Sequence, residues 1–223
     1  MINISKNIEG LEAVLSGKKG IIFDMDGTLL DSMEMWGTLD IKYMNDLGIE
    51  PDEQFHNDVR TMTLLMAAEY MHDRYKVPYE PEEIVEQFKA LIDDYYKNTL
   101  QLKTGAYELV RELHERGVHM MVATANEYDM SMAALERTGI AQYMDGLITC
   151  TMAGAGKDKP DIYLKACEDM NISVAECLVF EDSLFAIKTA RDAGFAVVGV
   201  YDESAKEFWD EICENTDCQV VFE

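Results

Sequence analysis

The sequence predicts an α/β fold: a parallel sheet with helices on its faces, interrupted by a separate helical segment. Two patterns carry that prediction. Short apolar runs that stop abruptly at polar residues recur along the chain, most of them separated by stretches long enough for a helix. That is the pattern of strands joined by helical crossovers. One long stretch, 32–102, breaks the alternation. It holds no convincing strand and shows helical periodicity throughout, with many Met, Tyr and acidic residues.

In chain order, residues 5–18 read as a helix with Ile8, Leu11 and Leu15 on one side. The first strand is the Gly-Ile-Ile-Phe run at 20–23. Pro51, Pro78 and Pro81 divide the 32–102 block into about four helices, with connections near 30–34 and 99–104. Leu109, Leu113 and a C-capping Gly117 describe a helix that leads into the second strand at 118–122. Helices at 128–138, 160–170, 183–193 and 203–213 accompany strands at 178–180 and 196–200 and a weak final strand at 219–222. The expected domains are therefore an α/β core formed by 1–31 and 103–223, and a helical insert at 32–102.

A chain of 223 residues can bury a proper core, and its 48% apolar and 28% charged composition is that of an ordinary soluble protein. No apolar run approaches the roughly 20 residues needed to span a bilayer. The first residues carry Glu9 and Glu12 and no continuous apolar stretch, unlike a signal peptide. Five cysteines, an odd number without metal-binding spacing, read as reduced and mostly buried thiols, so the expected compartment is the cytoplasm. The net charge of −24 argues against nucleic acid and against anionic membrane surfaces as partners. It also means that a phosphorylated substrate would need locally supplied positive charge.

The chemistry-bearing residues cluster where strands end, the place at which open parallel sheets bind ligands. Asp24 and Asp26 stand two apart as the first strand closes, so both can face one site, and Gly27 lets the chain turn away. Paired carboxylates can take divergent roles, one ionised and one exchanging a proton. Thr124-Ala125-Asn126 ends the second strand, and Glu181-Asp182-Ser183 ends the third. Lys157 lies in a Gly-rich loop, Gly154 to Pro160. Each has an ordinary alternative. Asp-x-Asp-Gly can be a plain turn, Thr124 a helix N-cap, Asp182 and Ser183 caps, Glu181 a solvated acid, and Lys157 an exposed lysine. Their joint order is what carries meaning.

That order resembles the haloacid dehalogenase superfamily, and within it the β-phosphoglucomutase-like branch. The resemblance rests on FDMDGTLLDS, VATAN, GKDKPDIYLKA and VFEDSLFAIKTARDAGF, and covers almost the whole chain from Gly20. It implies a doubly wound parallel sheet with the 32–102 insert as a helical cap. It implies Asp24 as the nucleophile that forms an aspartyl-phosphate, and Asp26 as general acid and then general base. Thr124, with Ala125 and Asn126, would bind the transferring phosphoryl group, and Lys157 would neutralise charge. Lys159 is a second candidate for that lysine, because Asp158-Lys159 stands where relatives more usually have Pro-x. Asp24, Asp182 and the Asp26 main-chain carbonyl would hold a metal, with Glu181 as a further or water-mediated ligand, and an all-oxygen site suits Mg²⁺. Two like charges ~4 Å apart repel by about 4 kcal/mol at an effective dielectric of ~20. A phosphate dianion beside three carboxylates therefore needs both the metal and Lys157.

The acid at Asp26 favours phosphate-ester chemistry over dehalogenation or phosphonate cleavage. The nearest rival is a sugar-phosphate mutase. Mutases of this branch carry a histidine five residues after the aspartate matching Asp31, where this chain has Trp36. The expectation is a phosphatase for a small phosphorylated sugar, polyol or nucleotide, with the mutase and a non-catalytic phospho-ligand binder as alternatives. Specificity is expected in the cap, with Trp36, Arg60, Tyr43 and Lys97 as candidate contacts, although each also fits ordinary packing or ion pairing within the insert.

Overall fold

Residues 1–4, 8–59 and 62–222 are described by a computed structural model. The first strand of the sheet centre shows why its sequence is continuous in apolar residues. In Gly20–Phe23 (β2), Ile21, Ile22 and Phe23 are fully buried, because helices cover both faces of a parallel sheet. Ile2–Asn3 (β1), His119–Thr124 (β3), Gly146–Thr149 (β4), Cys177–Glu181 (β5), Ala196–Val200 (β6) and Cys218–Val221 (β7) complete a seven-stranded sheet. Its order is β1-β7-β6-β5-β2-β3-β4, and every pairing is parallel.

The topology itself creates a crevice. From β2 the chain proceeds outward to β3 and β4, then returns to the other side of β2 and proceeds through β5, β6 and β7. Such a reversal in strand order opens a cleft at the carboxyl ends of the central strands. Register sets what meets there. Phe23 pairs with both Val122 and Phe180, and the Asp24 N–H donates to Phe180 O at 2.9 Å. The residues that follow these three strands therefore emerge at one level.

The helices are Glu12–Leu15 (α1), Met33–Asp46 (α2), Phe55–Val59 (α3), Leu64–Tyr75 (α4), Pro81–Asp94 (α5), Ala106–Glu115 (α6), Tyr128–Thr138 (α7), Cys150–Ala153 (α8), Asp161–Met170 (α9), Leu184–Asp192 (α10) and Trp209–Glu214 (α11). The chain forms two compact units, 1–33 with 100–223, and 34–99. In the first, α9 and α10 pack on the sheet through a cluster that includes Ile22, Val179, Ile162, Ile187 and Val197. The segments leading to and from the insert pair with each other: Asp31 N donates to Gln101 O at 2.9 Å and Lys103 N to Leu29 O at 2.8 Å. Lys103 Nζ is also bound to Asp202 Oδ2 at 2.6 Å, both side chains nearly buried.

The second unit is held by its own aromatic contacts. The Tyr43 ring lies 4.5 Å from Phe88, and Phe55 packs edge-on to Tyr75 at 5.2 Å. Its helices carry clear start signals. Thr63 caps α4 by accepting from Met66 N, and Glu80 and Glu83 form a capping box in front of α5, with Pro81 in the first turn.

Three local expectations are corrected. The helix expected over 5–18 is, among the described residues, a 3₁₀ turn at Ile8–Leu11 followed by the single helical turn α1. Gly17, at φ +75°, then closes the segment. The helix expected over 203–213 begins as a 3₁₀ helix at Glu203–Phe208, where the Asp202 side chain accepts from Ser204 N, and becomes helical only in α11. Two strands, β1 and β4, were not anticipated. Of the cysteines, Cys167 and Cys177 are buried and the other three half-buried, all unbridged. No helix among the described residues is long and apolar enough to cross a membrane.

Candidate active site

The site begins with the backbone after β2. Leu29 N and Leu30 N both donate to Met25 O, at 2.9 and 2.8 Å, and Gly27 N donates to Leu30 O at 3.0 Å. This tight loop needs φ +79° at Gly27. A Cβ at that position would stand 2.5 Å from Asp182 Oδ2, so the missing side chain leaves room for the Asp182 carboxylate. Thr28, fully buried in the same loop, donates to Asp182 Oδ1 at 3.2 Å and ties the end of β2 to the end of β5.

Asp24 is buried and receives a hydrogen bond from Lys157 Nζ. The same ammonium donates to Glu181 Oε2 at 2.8 Å. Lys157 is itself buried, whereas Lys159 is exposed. Asp26 is half-buried, and its carboxylate accepts from Ser32 Oγ at 2.6 Å and from Asn126 Nδ2. Thr124 is buried, with its hydroxyl accepting from Asn126 N at 3.1 Å, while Ala125 beside it is exposed. Residues distant in sequence, the ends of β2, β3 and β5 and the 154–160 loop, thus converge.

The ordinary alternatives fit less well. The cap of α7 is Glu127, so Thr124 is not its N-cap. Ser183 occupies the cap position of α10 but makes no side-chain cap bond, and its N–H turns to Glu181 Oε1 at 3.2 Å.

Electrostatics make the cluster costly as it stands. Asp24, Glu181 and Asp182 offer carboxylate oxygens within 4.8 Å of one another, all buried, and Lys157 is the cation that pairs with two of them. Burial, then the charge of Glu181, push the Asp24 carboxyl up to about 8 against the opposing pull of Lys157. Burial, then the charges of Glu181 and Asp24, hold Asp182 well above the usual carboxylate range against the pull of Lys157. Burial disfavours the Lys157 ammonium, but Asp24 and Glu181 more than offset it and hold the lysine charged. Three buried carboxyls facing one ammonium, with a cradle at Gly27, fit a small divalent cation that prefers oxygen ligands.

The insert residues stand differently. Trp36 Nε1 donates to Tyr96 OH at 3.2 Å, Tyr43 is buried with its hydroxyl on Gln87 at 2.9 Å, and Lys97 pairs with Asp93 at 2.7 Å. Each has a structural partner inside the insert. Arg60 lies outside the described residues. Three residues that sequence reasoning left without a role also touch the site: Thr28, Ser32 and Tyr163, whose hydroxyl donates to Glu181 Oε2 at 3.2 Å. All three stand inside the motif segments, but nothing in a linear motif reveals which carboxylate each one reaches.

A family model described as haloacid dehalogenase-like hydrolase matches residues 18–194. The chain is 31% identical over 191 residues to validoxylamine A 7'-phosphate phosphatase of Streptomyces hygroscopicus subsp. limoneus, covering 82% of this chain and 85% of that protein. It is 25% identical over 181 residues to the fructose-1-phosphate phosphatase YqaB of Escherichia coli, covering 81% and 95%. The structure is similar to the crystal structure of β-phosphoglucomutase from Clostridium difficile, with a TM-score of 0.62, 18% identity, and 91% and 90% of the two chains covered. That last likeness concerns the fold.

Proposed function

We propose a function from one premise: the chain belongs to the haloacid dehalogenase-like hydrolases. The reading is a Mg²⁺-dependent phosphatase that hydrolyses a small phosphorylated metabolite through an aspartyl-phosphate on Asp24. The observation that carries it is the meeting of Asp24 with Lys157, Glu181 and Asp182 at the sheet's crevice, with the Asp26 carboxylate held by Ser32 and Asn126.

In the first half-reaction an Asp24 carboxylate oxygen attacks phosphorus, the bond from phosphorus to the ester oxygen breaks, and Asp26 gives that leaving oxygen its proton. In the second, Asp26 takes a proton from water, the water oxygen attacks phosphorus, and Asp24 is released with inorganic phosphate. Lys157 offsets charge on Asp24 and on the phosphoryl oxygens, and the backbone beside exposed Ala125, with Thr124 and Asn126, binds them. Asp24 and Asp182, with the Asp26 main-chain carbonyl, would hold Mg²⁺, with Glu181 beside it as a further or water-mediated ligand, and its charge would keep Asp24 ionised and offset the incoming phosphate.

Relatives named for validoxylamine A 7'-phosphate and for fructose 1-phosphate support testing sugar and polyol phosphates first. Nucleotide phosphates come second. Purified protein tested against phosphorylated sugars, polyols, nucleotides and an aryl phosphate should release phosphate with Mg²⁺ and lose that release in EDTA. Asp24→Asn should abolish turnover, a loss of at least about 10³-fold. Turnover retained in Asp24→Asn would remove the covalent route. A wild-type protein that moves a phosphoryl group between sugar positions without releasing it would be a mutase.

A further inference from the structure

The Glu181 carboxylate is 1% exposed, and both of its oxygens are engaged. Oε1 accepts from Ser183 N at 3.2 Å. Oε2 accepts twice, from Lys157 Nζ at 2.8 Å and from Tyr163 OH at 3.2 Å. Tyr163 belongs to α9, the helix that follows the Lys157 loop, and it is fully buried. Its ring packs in the cluster with Ile162, Ala166, Val179 and Phe195, the Phe195 ring centre 6.0 Å away.

Packing alone accounts for that ring and not for its hydroxyl. Phenylalanine would fill nearly the same space without a polar group to satisfy, and a buried hydroxyl is a net cost unless it is bonded. Here the hydroxyl ends on the very oxygen that receives Lys157. A lysine carries its charge on a flexible four-carbon stem, so its position is set by the acceptors around it. Asp24 is one of those acceptors and is the group that must react. The other, Glu181, can hold the ammonium in place only if its own carboxylate is held, at Oε1 by the Ser183 backbone and at Oε2 by Tyr163.

We propose that Tyr163 is a positioning residue: its hydroxyl fixes the Glu181 carboxylate, which in turn holds the Lys157 ammonium against Asp24. This rests on the phosphatase reading for its consequence in rate, but its geometric content stands by itself. Glu181 is accordingly an anchor for the lysine as well as a neighbour of the cation site. Without the hydroxyl, the carboxylate keeps its backbone bond at Oε1 and gains freedom at Oε2, and the lysine drifts from the productive position.

The test is Tyr163→Phe, alone and in a Lys157→Ala background, read in two ways on the full chain. The first is the ¹⁵N–¹H signal of the Lys157 ammonium, assigned by its disappearance in Lys157→Ala. The second is kcat and KM for an aryl phosphate with saturating Mg²⁺. We expect the folded Tyr163→Phe protein to shift or broaden the Lys157 signal through faster solvent exchange. We also expect kcat to fall about tenfold, with KM changed by less than about twofold. In the Lys157→Ala background the same substitution should leave kcat unchanged, because the group it positions is gone. An unmoved Lys157 signal overturns the proposal, as does a loss of kcat that is equal in both backgrounds. If the signal moves while wild-type protein releases no phosphate, the positioning stands and the phosphatase reading falls.

Discussion

At the scale of single residues, Gly27 shows how a motif position acquires its identity. Two constraints act on it together, the φ of +79° and the Asp182 oxygen 2.5 Å from where a Cβ would be. Gly48 carries the first without the second, with φ +73° and open space around it. Placing alanine at a left-handed position costs about 1–2 kcal/mol wherever it occurs. Gly27→Ala must also displace the Asp182 carboxylate, so it should weaken Mg²⁺ binding by at least about tenfold, whereas Gly48→Ala should lower stability and leave Mg²⁺ affinity alone. Calorimetric Mg²⁺ titration of both variants separates the effects, and equal affinities would mean that Asp182 does not depend on the cradle. This pair also shows what was legible. The convergence of Asp24, Asp26, Thr124, Lys157, Glu181 and Asp182 was legible as a candidate site because their joint order, at strand ends and in a marked loop, fits a family pattern. Thr28 was not, because its partner Asp182 lies 154 residues away. The choice between Lys157 and Lys159 likewise needed the fold, which buries the first and leaves the second exposed.

At the scale of elements, legibility followed length and burial. Strands β2, β5 and β6 are at least four residues long and central, so their apolar runs announce them. The unanticipated β4 has only Leu147 and Ile148 as an apolar pair, and β1 has two residues, both existing because a neighbour offers a free edge. Such strands are made by tertiary pairing and leave no periodicity to read. The segment that follows the insert is a second case, since a buried ion pair within the α/β unit holds it. Lys103 and Asp202 side chains are 10% and 8% exposed, and Asp202 also accepts from Ser204 N and Oγ. Burial would push the Asp202 carboxyl up, but Lys103 and Ser204 reverse that and hold it below its ordinary 3.8. A carboxyl depressed on folding stabilises the fold above its ordinary pKa and loses that contribution as pH falls through the folded value. Lys103→Met strands Asp202 without its cation, a change that typically costs about 3–5 kcal/mol. The melting temperature should therefore fall by about 10 °C at pH 7, and the difference from wild type should shrink below pH 4, about the ordinary carboxyl pKa. A shift within about 2 °C at pH 7 would mean the pair contributes no more than an exposed one.

At the scale of the whole molecule, a net charge of −24 and a buried carboxyl cluster act in the same direction. Each added negative charge on the metal-free chain is introduced against the others, and the interior ones are the most costly. Asp24 is pushed up to about 8 by burial and by Glu181, so between its ordinary 3.8 and about 8 the folded chain binds more protons there than the unfolded chain does. Stability must then fall as pH rises across that window and level off above it. Asp182, also pushed up by burial and by Glu181 and Asp24, adds to the slope. Mg²⁺ held at the proposed site would reverse the demand, because it would bind the ionised cluster and displace those protons. At 100 times its Kd, a ligand specific to the folded state adds about 2.7 kcal/mol, which for a chain of this size is about 5–10 °C. Melting curves in EDTA should therefore move to lower temperature between pH 6 and pH 8.5, and the gain on adding a fixed excess of Mg²⁺ should be larger at pH 8.5 than at pH 6. Ca²⁺, which also takes oxygen ligands but is larger and accepts looser coordination, should raise stability without supporting the proposed phosphate release. A Mg²⁺ gain that is equal at both pH values would show that the cluster is already ionised at pH 6, and would place the cost of its burial elsewhere in the chain.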